Sequence, residues 1–295
     1  MSRIVLGLMH ISNITIDEIE KLIIDSLNNG ITMFDLADIY GNGLCEKLVG
    51  IVIKRKPELR KKMYIQSKVG ICKNPKRYNL SKNYIIQACK DCLKRLNIDY
   101  LDCLMLHRPD IFMDNKEIAE AISYLQHNNL IKDFAVSNFS SSQIKYLQDE
   151  LQTPIKYNQV HLGIGNTTMI DQTMYTNIPS KYVNKESDDL FFFLKREKIV
   201  IQCWSPFQMN WFEGSIFDEE KFPEINLVLN KYAKKYQCSK CALATAFLLK
   251  LNNDLLVVTG STNINHIKEA LEGEKIDLSR EDWYSLYNEL GHRIP

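Results

Sequence analysis

The sequence predicts an α/β fold of the (β/α)8 (TIM) barrel type, formed by residues 1–295 as one domain with an extra C-terminal helix. Eight short β-rich runs alternate with amphipathic segments along almost the whole chain, as a barrel of parallel strands requires. The length of 295 residues suits one barrel, commonly ~250 residues, although ~150 residues per domain would also allow two domains. The third observation is that polar side chains stand where the strand-like runs end.

The predicted strands are short runs, each followed by a segment with helical periodicity. They lie at 4–9, 31–35, 63–68, 101–107, 132–137, 155–160, 199–204 and 254–260.

The predicted helices follow these strands in order. They lie at 15–29, 44–54, 81–96, 115–128, 140–151, 188–197, 224–236, 239–251 and 263–272. Gly30 provides a C-terminal stop for the first helix, and Ser81 is suited to cap the third. A last segment, 279–290, predicts the extra helix outside the barrel. The longest irregular stretch, 163–187, is expected to lie over the carboxyl ends of the strands.

An open, doubly wound sheet is the alternative, because it also alternates strands and helices. Such a sheet calls for a glycine-rich turn after the first strand, where this chain has only His10 to Asn13. Gly41-Asn42-Gly43 follows the second strand and lacks the third glycine. The barrel is therefore favoured.

Charge and hydropathy exclude several classes of protein. The net charge of +1 argues against a dedicated binder of nucleic acid or anionic membranes. The N-terminus lacks the features of a signal peptide, and no window approaches the ~20 apolar residues of a membrane span. We expect a cytoplasmic protein.

Two Cys-x-x-Cys pairs, Cys89–Cys92 and Cys238–Cys241, raise the question of a zinc site. They stand too far apart for a compact zinc ribbon. Cys89 and Cys92 also share an apolar stripe of helical period with Ile85, Leu93 and Leu96, which predicts core packing. We expect no metal site.

The side chains at the strand ends are the most informative feature. In a barrel, chemistry is carried by residues at the carboxyl ends of the strands. These positions hold Asp35, Tyr40, Lys68, His107, Ser137, Asn138, Gln159, Trp204, Ser205, Gly260, Ser261 and Thr262. Taken singly, each has an ordinary interpretation as a turn, packing or solvated residue. Together, an Asp, a Tyr, a Lys and a His from adjacent strands predict one site.

At these positions the chain resembles the aldo-keto reductases, with motifs in the order of that family over essentially the whole length. The motifs are FDLADIYG (34–41), SKVG (67–70), LHRPD (106–110), VSNF (136–139), NQV (158–160), WSPF (204–207) and VTGSTN (258–263).

The resemblance implies a role for each matched residue. The catalytic positions are Asp35, Tyr40, Lys68 and His107. The cofactor positions are Ser137, Asn138 and Gln159 for the nicotinamide carboxamide, Trp204 for the nicotinamide ring, and Ser205, Pro206, Gly260, Ser261, Thr262 and Asn263 for the phosphates, with His266 and Glu269 at the adenine end. The substrate pocket is expected to include Met9, Trp211 and Phe212, with parts of 163–187.

The chemistry of carbonyl reduction supports these roles independently. Hydride addition leaves an alkoxide that needs a proton, and a tyrosine with an ordinary pKa of ~10 is a weak acid. The Lys68 ammonium would ease release of the Tyr40 proton, Asp35 would hold Lys68, and His107 would orient and polarise the carbonyl. No metal is required.

The sequence departs from the family at the adenosine end. The family favours NADPH through Lys or Arg near the 2′-phosphate, where this chain has Thr262 and His266. Ala270 replaces a usual polar adenine contact, and Leu36 is bulkier than is usual. NADPH is the expected cofactor, with NADH as the alternative.

The expected function is NAD(P)H-dependent reduction of a small-molecule aldehyde or ketone to an alcohol. One alternative is a non-catalytic nicotinamide-binding sensor or scaffold subunit, which would be free to lose Tyr40. Another is a Schiff-base lyase using Lys68, which would leave the cofactor positions without a purpose. The sequence indicates no particular oligomeric state.

Overall fold

A computed structural model describes residues 2–175, 189–209, 213–292 and 294. Its strands are β1 Ile4–Gly7, β2 Met33–Asp35, β3 Tyr64–Val69, β4 Ile71–Cys72, β5 Arg77–Tyr78, β6 Leu101–Leu106, β7 Ile131–Ser137, β8 Ile155–His161, β9 Val200–Trp204 and β10 Leu256–Thr259. Eight of them form a closed parallel barrel in the order β1-β10-β9-β8-β7-β6-β3-β2, while β4 and β5 pair as an antiparallel hairpin. The predicted barrel is confirmed.

The described helices cover every predicted helical segment, with ends that differ by at most three residues. They are α1 Ile16–Asn28, α2 Leu44–Arg55, α3 Lys82–Leu96, α4 Asn115–His127, α5 Ser141–Gln148, α6 Thr168–Met174, α7 Leu190–Arg196, α8 Pro223–Tyr236, α9 Lys240–Leu249, α10 Ile264–Glu272 and α11 Arg280–Glu289. The extra C-terminal helix is α11. None of the described helices is long and apolar enough to cross a membrane.

Three local expectations need correction. The stretch 163–187 is not wholly irregular, because it contains α6, and its residues from 176 onward lie outside the described part. The hairpin of β4 and β5 was not predicted, since its strands are only two residues long. Ser81 stands at the N-cap of α3, but its hydroxyl donates to Asn79 Oδ1 at 2.8 Å and does not accept from the helix backbone.

The chain divides into two compact units, the first formed by residues 5–159 and 260–264. In this unit the ends of five barrel strands are in register. Asp35 pairs with Gln66, Val69 with Leu106, Leu106 with Val136, and Ser137 with Gln159. All six residues of β6 are buried, as expected for a parallel strand covered on both faces. The register brings the polar strand ends of this unit to one level.

The helices of the first unit bury the faces that periodicity predicts. Helix α1 begins with a capping box between Thr15 and Glu18. Helix α3 buries the predicted stripe of Ile85, Cys89, Cys92, Leu93 and Leu96, which confirms core packing for the first cysteine pair. Within the described residues, no three His, Cys, Asp or Glu side chains are grouped to hold a metal ion.

The second unit comprises residues 2–4, 160–259 and 265–295, where described. Helix α9 is buried from Cys241 to Leu249 and forms the centre of this unit's helical packing. The Trp283 ring of α11 stacks on Phe247 with centroids 4.7 Å apart, and its Nε1 donates to the Phe247 carbonyl at 2.9 Å. The extra helix is thus fixed to α9 by both packing and a hydrogen bond.

The close approach of α2 and α3 depends on Gly50. A Cβ at this position would lie 2.3 Å from the Arg95 carbonyl oxygen. Gly50→Ala should therefore lower the free energy of unfolding by about 1–3 kcal/mol, although alanine is the better helix former. Urea unfolding measures the change, with Ile51→Ala at a 45% exposed position of the same helix as control. A stabilised Gly50→Ala variant would contradict the close approach.

Candidate active site

A buried ion pair lies at the ends of β2 and β3. Lys68 is 0% exposed, and its Nζ donates to Asp35 Oδ2 at 2.6 Å and to the Leu36 carbonyl at 2.8 Å. Burying an ammonium is costly unless it is paired and hydrogen-bonded. These contacts supply both requirements.

The Tyr40 hydroxyl is the third partner of this ammonium, at 3.2 Å from Lys68 Nζ. Tyr40 opens a tight turn in which Gly41, Asn42 and Gly43 all have positive φ, at 55°, 57° and 83°. Glycine adopts this region readily and asparagine tolerates it, so the Tyr-Gly-Asn-Gly sequence suits the turn. The turn holds the phenol against the ion pair.

His107 stands beside the phenol, with the two ring centroids 6.0 Å apart and the rings nearly perpendicular. Its Nδ1 has no hydrogen-bond partner among the described residues. Burial and the charges of Lys68 and Arg108 lower the pKa of His107 well below its usual range. The imidazole is therefore neutral near pH 7, with one nitrogen able to donate a hydrogen bond to a carbonyl oxygen.

The protonation of Tyr40 and Lys68 reflects burial as well as charge. Burial raises the pKa of Tyr40, and the opposing effect of the Lys68 ammonium does not offset it. Burial acts to lower the pKa of Lys68, but Asp35 and Tyr40 outweigh it, so that this pKa is raised. The ammonium alone would lower the pKa of Tyr40, as expected from the sequence, but burial has the larger effect. In this structure the phenol keeps its proton and the lysine keeps its charge.

Ser137, Asn138 and Gln159 come together at the ends of β7 and β8. Ser137 Oγ donates to the Gln159 carbonyl at 2.9 Å, and Asn138 Nδ2 donates to Ser137 Oγ at 2.8 Å and to the His107 carbonyl at 3.2 Å. Asn138 has a φ of 62°, which directs its amide back toward these strand ends. The three side chains carry the hydroxyl and amide groups that can hydrogen-bond a carboxamide.

Two glutamines complete the surroundings of Asp35, and one of them was missed by the sequence analysis. Gln66 Nε2 donates to Asp35 Oδ1 at 2.6 Å, and Gln159 Nε2 donates to the same atom at 2.9 Å. Gln66 is two residues before Lys68, so both side chains lie on one face of β3. That alternation was the signal that could have identified Gln66.

The loop before α10 lies in the first unit and contains only small or polar residues, Gly260, Ser261, Thr262 and Asn263. Asn263 N donates to Ser261 Oγ at 3.1 Å, which forms a local turn, and the Thr262 side chain is exposed. A Cβ at Gly260 would meet only His10 Cδ2, at 3.7 Å. Open space and a helix N-terminus suit a phosphate group.

In the second unit, the Trp204 indole stacks on the His161 imidazole, with centroids 4.5 Å apart and planes at 18°. Ser205 follows with a φ of 46°, an unusual conformation for a non-glycine residue. The Pro206 carbonyl lies so close to Gly163 that a Cβ there would be 2.3 Å from its oxygen. Trp204, Ser205 and Pro206 thus form a closely packed corner.

The remaining predicted site residues lie in α10, after β1, or outside the described part of the chain. His266 and Glu269 lie in α10, exposed and half-buried respectively. Met9 is half-buried, and its carbonyl accepts from Cys45 Sγ at 3.4 Å. Trp211 and Phe212 lie outside the described residues.

A nicotinamide dinucleotide fits the residues of the first unit. Two amide side chains and a hydroxyl are clustered next to the His107 imidazole, whose Nδ1 has no hydrogen-bond partner within the described part of the chain. The 260–263 loop supplies uncrowded backbone at the start of a nine-residue helix.

Comparisons with known proteins identify the family of this chain. The sequence model of the Aldo/keto reductase family matches residues 3–288. Oxidoreductase YdhF of Escherichia coli (strain K12) is 28% identical, with 100% of this chain and 95% of that protein covered. A 6-dehydroglucose reductase of Agrobacterium fabrum is 26% identical, with 97% and 93% covered.

One solved structure supports the fold. An aldo-keto reductase from Klebsiella pneumoniae in complex with NADPH has a TM-score of 0.76 at 19% identity, over 99% of this chain and 92% of that one. The family match spans nearly the whole chain, and the closed barrel agrees with it. The chain belongs to the aldo/keto reductase family of oxidoreductases.

Proposed function

We propose that this protein reduces an aldehyde or ketone to an alcohol, with NADPH as hydride donor and Tyr40 as general acid. The proposal rests on two hydrogen bonds of Lys68 Nζ, one to Asp35 and one to the Tyr40 hydroxyl. It holds a protonated phenol next to an ammonium that stays charged. In this proposal residues 1–295 act as one cytoplasmic catalytic domain on a small-molecule substrate.

The residues of this chain would bind the carbonyl and supply its proton. His107 donates a hydrogen bond to the substrate oxygen, and Tyr40 Oη transfers its proton to that oxygen as negative charge develops there. The resulting phenolate is stabilised by Lys68, which Asp35 keeps in place. When bound, NADPH supplies the hydride that completes the reduction.

The cofactor positions are assigned residue by residue. Ser137, Asn138 and Gln159 would hold the carboxamide, and the 260–263 loop would hold phosphate. Trp204 and Ser205–Pro206 are assigned to the nicotinamide ring and the pyrophosphate, and His266 and Glu269 to the adenine end. The NADPH complex of the Klebsiella relative supports this choice of cofactor.

Tyr40→Phe should lower kcat by at least about 100-fold, because the general acid is lost while the ring remains. Lys68→Met should do the same, since the phenol loses its cationic neighbour. The assay follows NADPH and NADH oxidation over a carbonyl panel that includes 6-dehydroglucose, the compound named for one relative. Cofactor affinity, measured by titration, should change little.

Tyr124→Phe is the matched control, because the Tyr124 hydroxyl also accepts from a lysine, Lys90, at 3.1 Å but on the exposed surface. Near-normal turnover by Tyr40→Phe would overturn the acid mechanism. Turnover without any nicotinamide, with borohydride trapping of a covalent adduct at Lys68, would support a lyase instead. Cofactor binding without reduction of any carbonyl would support the sensor or scaffold alternative.

The preference for NADPH over NADH should be modest, because the exposed Thr262 offers only a neutral hydroxyl to a 2′-phosphate. Thr262→Lys should raise the ratio of kcat/KM for NADPH to that for NADH by about 10-fold through a charge-assisted hydrogen bond. Gln87→Lys, on the exposed face of α3, controls for the added charge. A large preference that Thr262→Lys leaves unchanged would show that other residues hold the phosphate.

A further inference from the structure

Glu46 is a fully buried carboxylate that takes no part in the proposed proton transfer. It is 0% exposed, lies in the first turn of α2, and follows the Tyr40–Gly43 turn by three residues. Both of its oxygens accept short hydrogen bonds, from Ser67 Oγ at 2.6 Å and from Arg95 Nε at 2.6 Å. A buried carboxylate with two directed partners on two other elements fixes their relative positions.

The first partner ties α2 to the strand that carries Lys68. Ser67 immediately precedes Lys68, so the two side chains point to opposite faces of β3. Lys68 and Gln66 contact Asp35 on one face, while Ser67 contacts Glu46 on the other. Glu46 therefore holds β3 at the residue next to the ammonium.

The second partner, Arg95, packs against the Tyr40–Gly43 turn. Arg95 comes from the last turn of α3, and its Nη2 also donates to Cys92 Sγ at 3.2 Å. Its side chain lies against the end of the turn, because a Cβ at Gly43 would be 2.9 Å from Arg95 Cδ. The guanidinium thus links Glu46, α3 and the last residue of the Tyr40 turn.

Tyr40 lies between two attachments of its segment to β3. Before the turn, Leu36 N donates to the Gln66 carbonyl and Asp38 N donates to the Lys68 carbonyl, both at 3.0 Å. Within the turn, the backbone hydrogen bonds of Tyr40 and Asn42 are local. Tyr40 N donates to the Ala37 carbonyl, and Asn42 N donates to the Ile39 carbonyl. Beyond the contact of Tyr40 Oη with Lys68 Nζ, the segment is next attached to β3 by the bond from Ser67 Oγ to Glu46.

We propose that Glu46 is a positioning residue, which sets the distance between Tyr40 Oη and Lys68 Nζ through its bonds to Ser67 and Arg95. The inference rests on the proposed function, because its consequence is an effect on proton transfer. Glu46 does not touch the phenol or the ammonium in any contact described above. Its effect on the reaction passes through the turn and the strand.

The charges of Glu46, Arg95 and Asp38 favour an ion pair between Glu46 and Arg95. Asp38 lies near Glu46 and Arg95, and its Oδ1 is buried without a hydrogen-bond partner among the described residues. Burial and the Glu46 charge raise the pKa of Asp38 to about 7, so that this carboxyl is largely protonated below neutrality. Arg95 is then balanced by the Glu46 carboxylate. The Glu46 charge also contributes to raising the pKa of the Cys45, Cys89 and Cys92 thiols.

The test is a double-mutant cycle between Glu46 and Tyr40 in the full-length protein with NADPH and a carbonyl that the wild type reduces. Glu46→Gln keeps an acceptor for Ser67 but loses the charge that holds Arg95. It should lower kcat by about 10-fold with cofactor affinity unchanged, because a small misplacement of a catalytic group is costly. In the Tyr40→Phe background the same change should lower residual kcat by less than about 2-fold, since the group it positions is gone.

Asp102→Asn is the matched control, because Asp102 forms a comparable buried ion pair with Arg60 at 2.8 Å and accepts from Ile65 N near the start of β3. It should reduce thermal stability with the same factor on kcat in both backgrounds. Arg95→Lys should retain more turnover than Arg95→Gln, because it keeps the charge beside Glu46. Ser67→Ala provides an independent test if Glu46→Gln does not fold, and the same non-additivity is expected.

Equal losses of kcat in the two backgrounds, or normal kcat in both Glu46→Gln and Ser67→Ala, would overturn the positioning role. Failure of the proposed function has a different signature. In that case Tyr40→Phe alone would turn over normally, or no carbonyl would be reduced, before any change at Glu46 is introduced.

Discussion

The buried pair of Lys68 and Asp35 is the interaction on which the site depends. Removing one partner of such a pair leaves an uncompensated charge and costs about 3–5 kcal/mol, so the surrounding side chains must match the intact pair. Asp35 accepts from Lys68 on one oxygen and from Gln66 and Gln159 on the other. Gln159 belongs to β8, which is not adjacent to β2 in the barrel, so one carboxylate joins separated strands across the interior.

The same requirement holds wherever a charge is buried in the barrel, because each buried charge needs a partner. All six residues of β6 that precede His107 are buried, and the one charged residue among them, Asp102, is paired with Arg60 at 2.8 Å and with Lys132 at 3.0 Å. At the carboxyl ends, backbone carbonyls such as that of Leu36 become available and bind the ammonium directly. The same low-polarity surroundings keep the Tyr40 phenol protonated and the His107 imidazole neutral. Burial therefore favours the protonation states that the proposed carbonyl reduction needs.

The fold could be predicted because strands and helices give different periods of hydropathy along the chain. The four residues Asp35, Tyr40, Lys68 and His107 could be predicted because they lie where strand-like runs end. Gln66 was missed because it lies inside a strand, where a polar residue is recognised only after its face of the barrel is known. The cluster of Glu46 and Arg95 could not be predicted, since it depends on how α2 and α3 are rotated against each other at Gly50. His161 and Trp204 are the last residues of β8 and β9, and their stacking likewise depends on how these two strand ends meet. The roles of the cofactor residues stay predictions.

The two faces of β3 make different contacts, one with the groups of the candidate active site and the other with Glu46. Lys68 faces the barrel interior, where its charge is compensated by Asp35 and shared with the phenol of Tyr40. Ser67 faces the helices, where it meets Glu46. A shift of β3 that shortened one of these contacts would lengthen the other, because adjacent side chains move with the same backbone. Glu46, on the helix side of β3, therefore limits how far the Lys68 ammonium can move on the interior side. In this way α2 affects the position of the ammonium without contacting it.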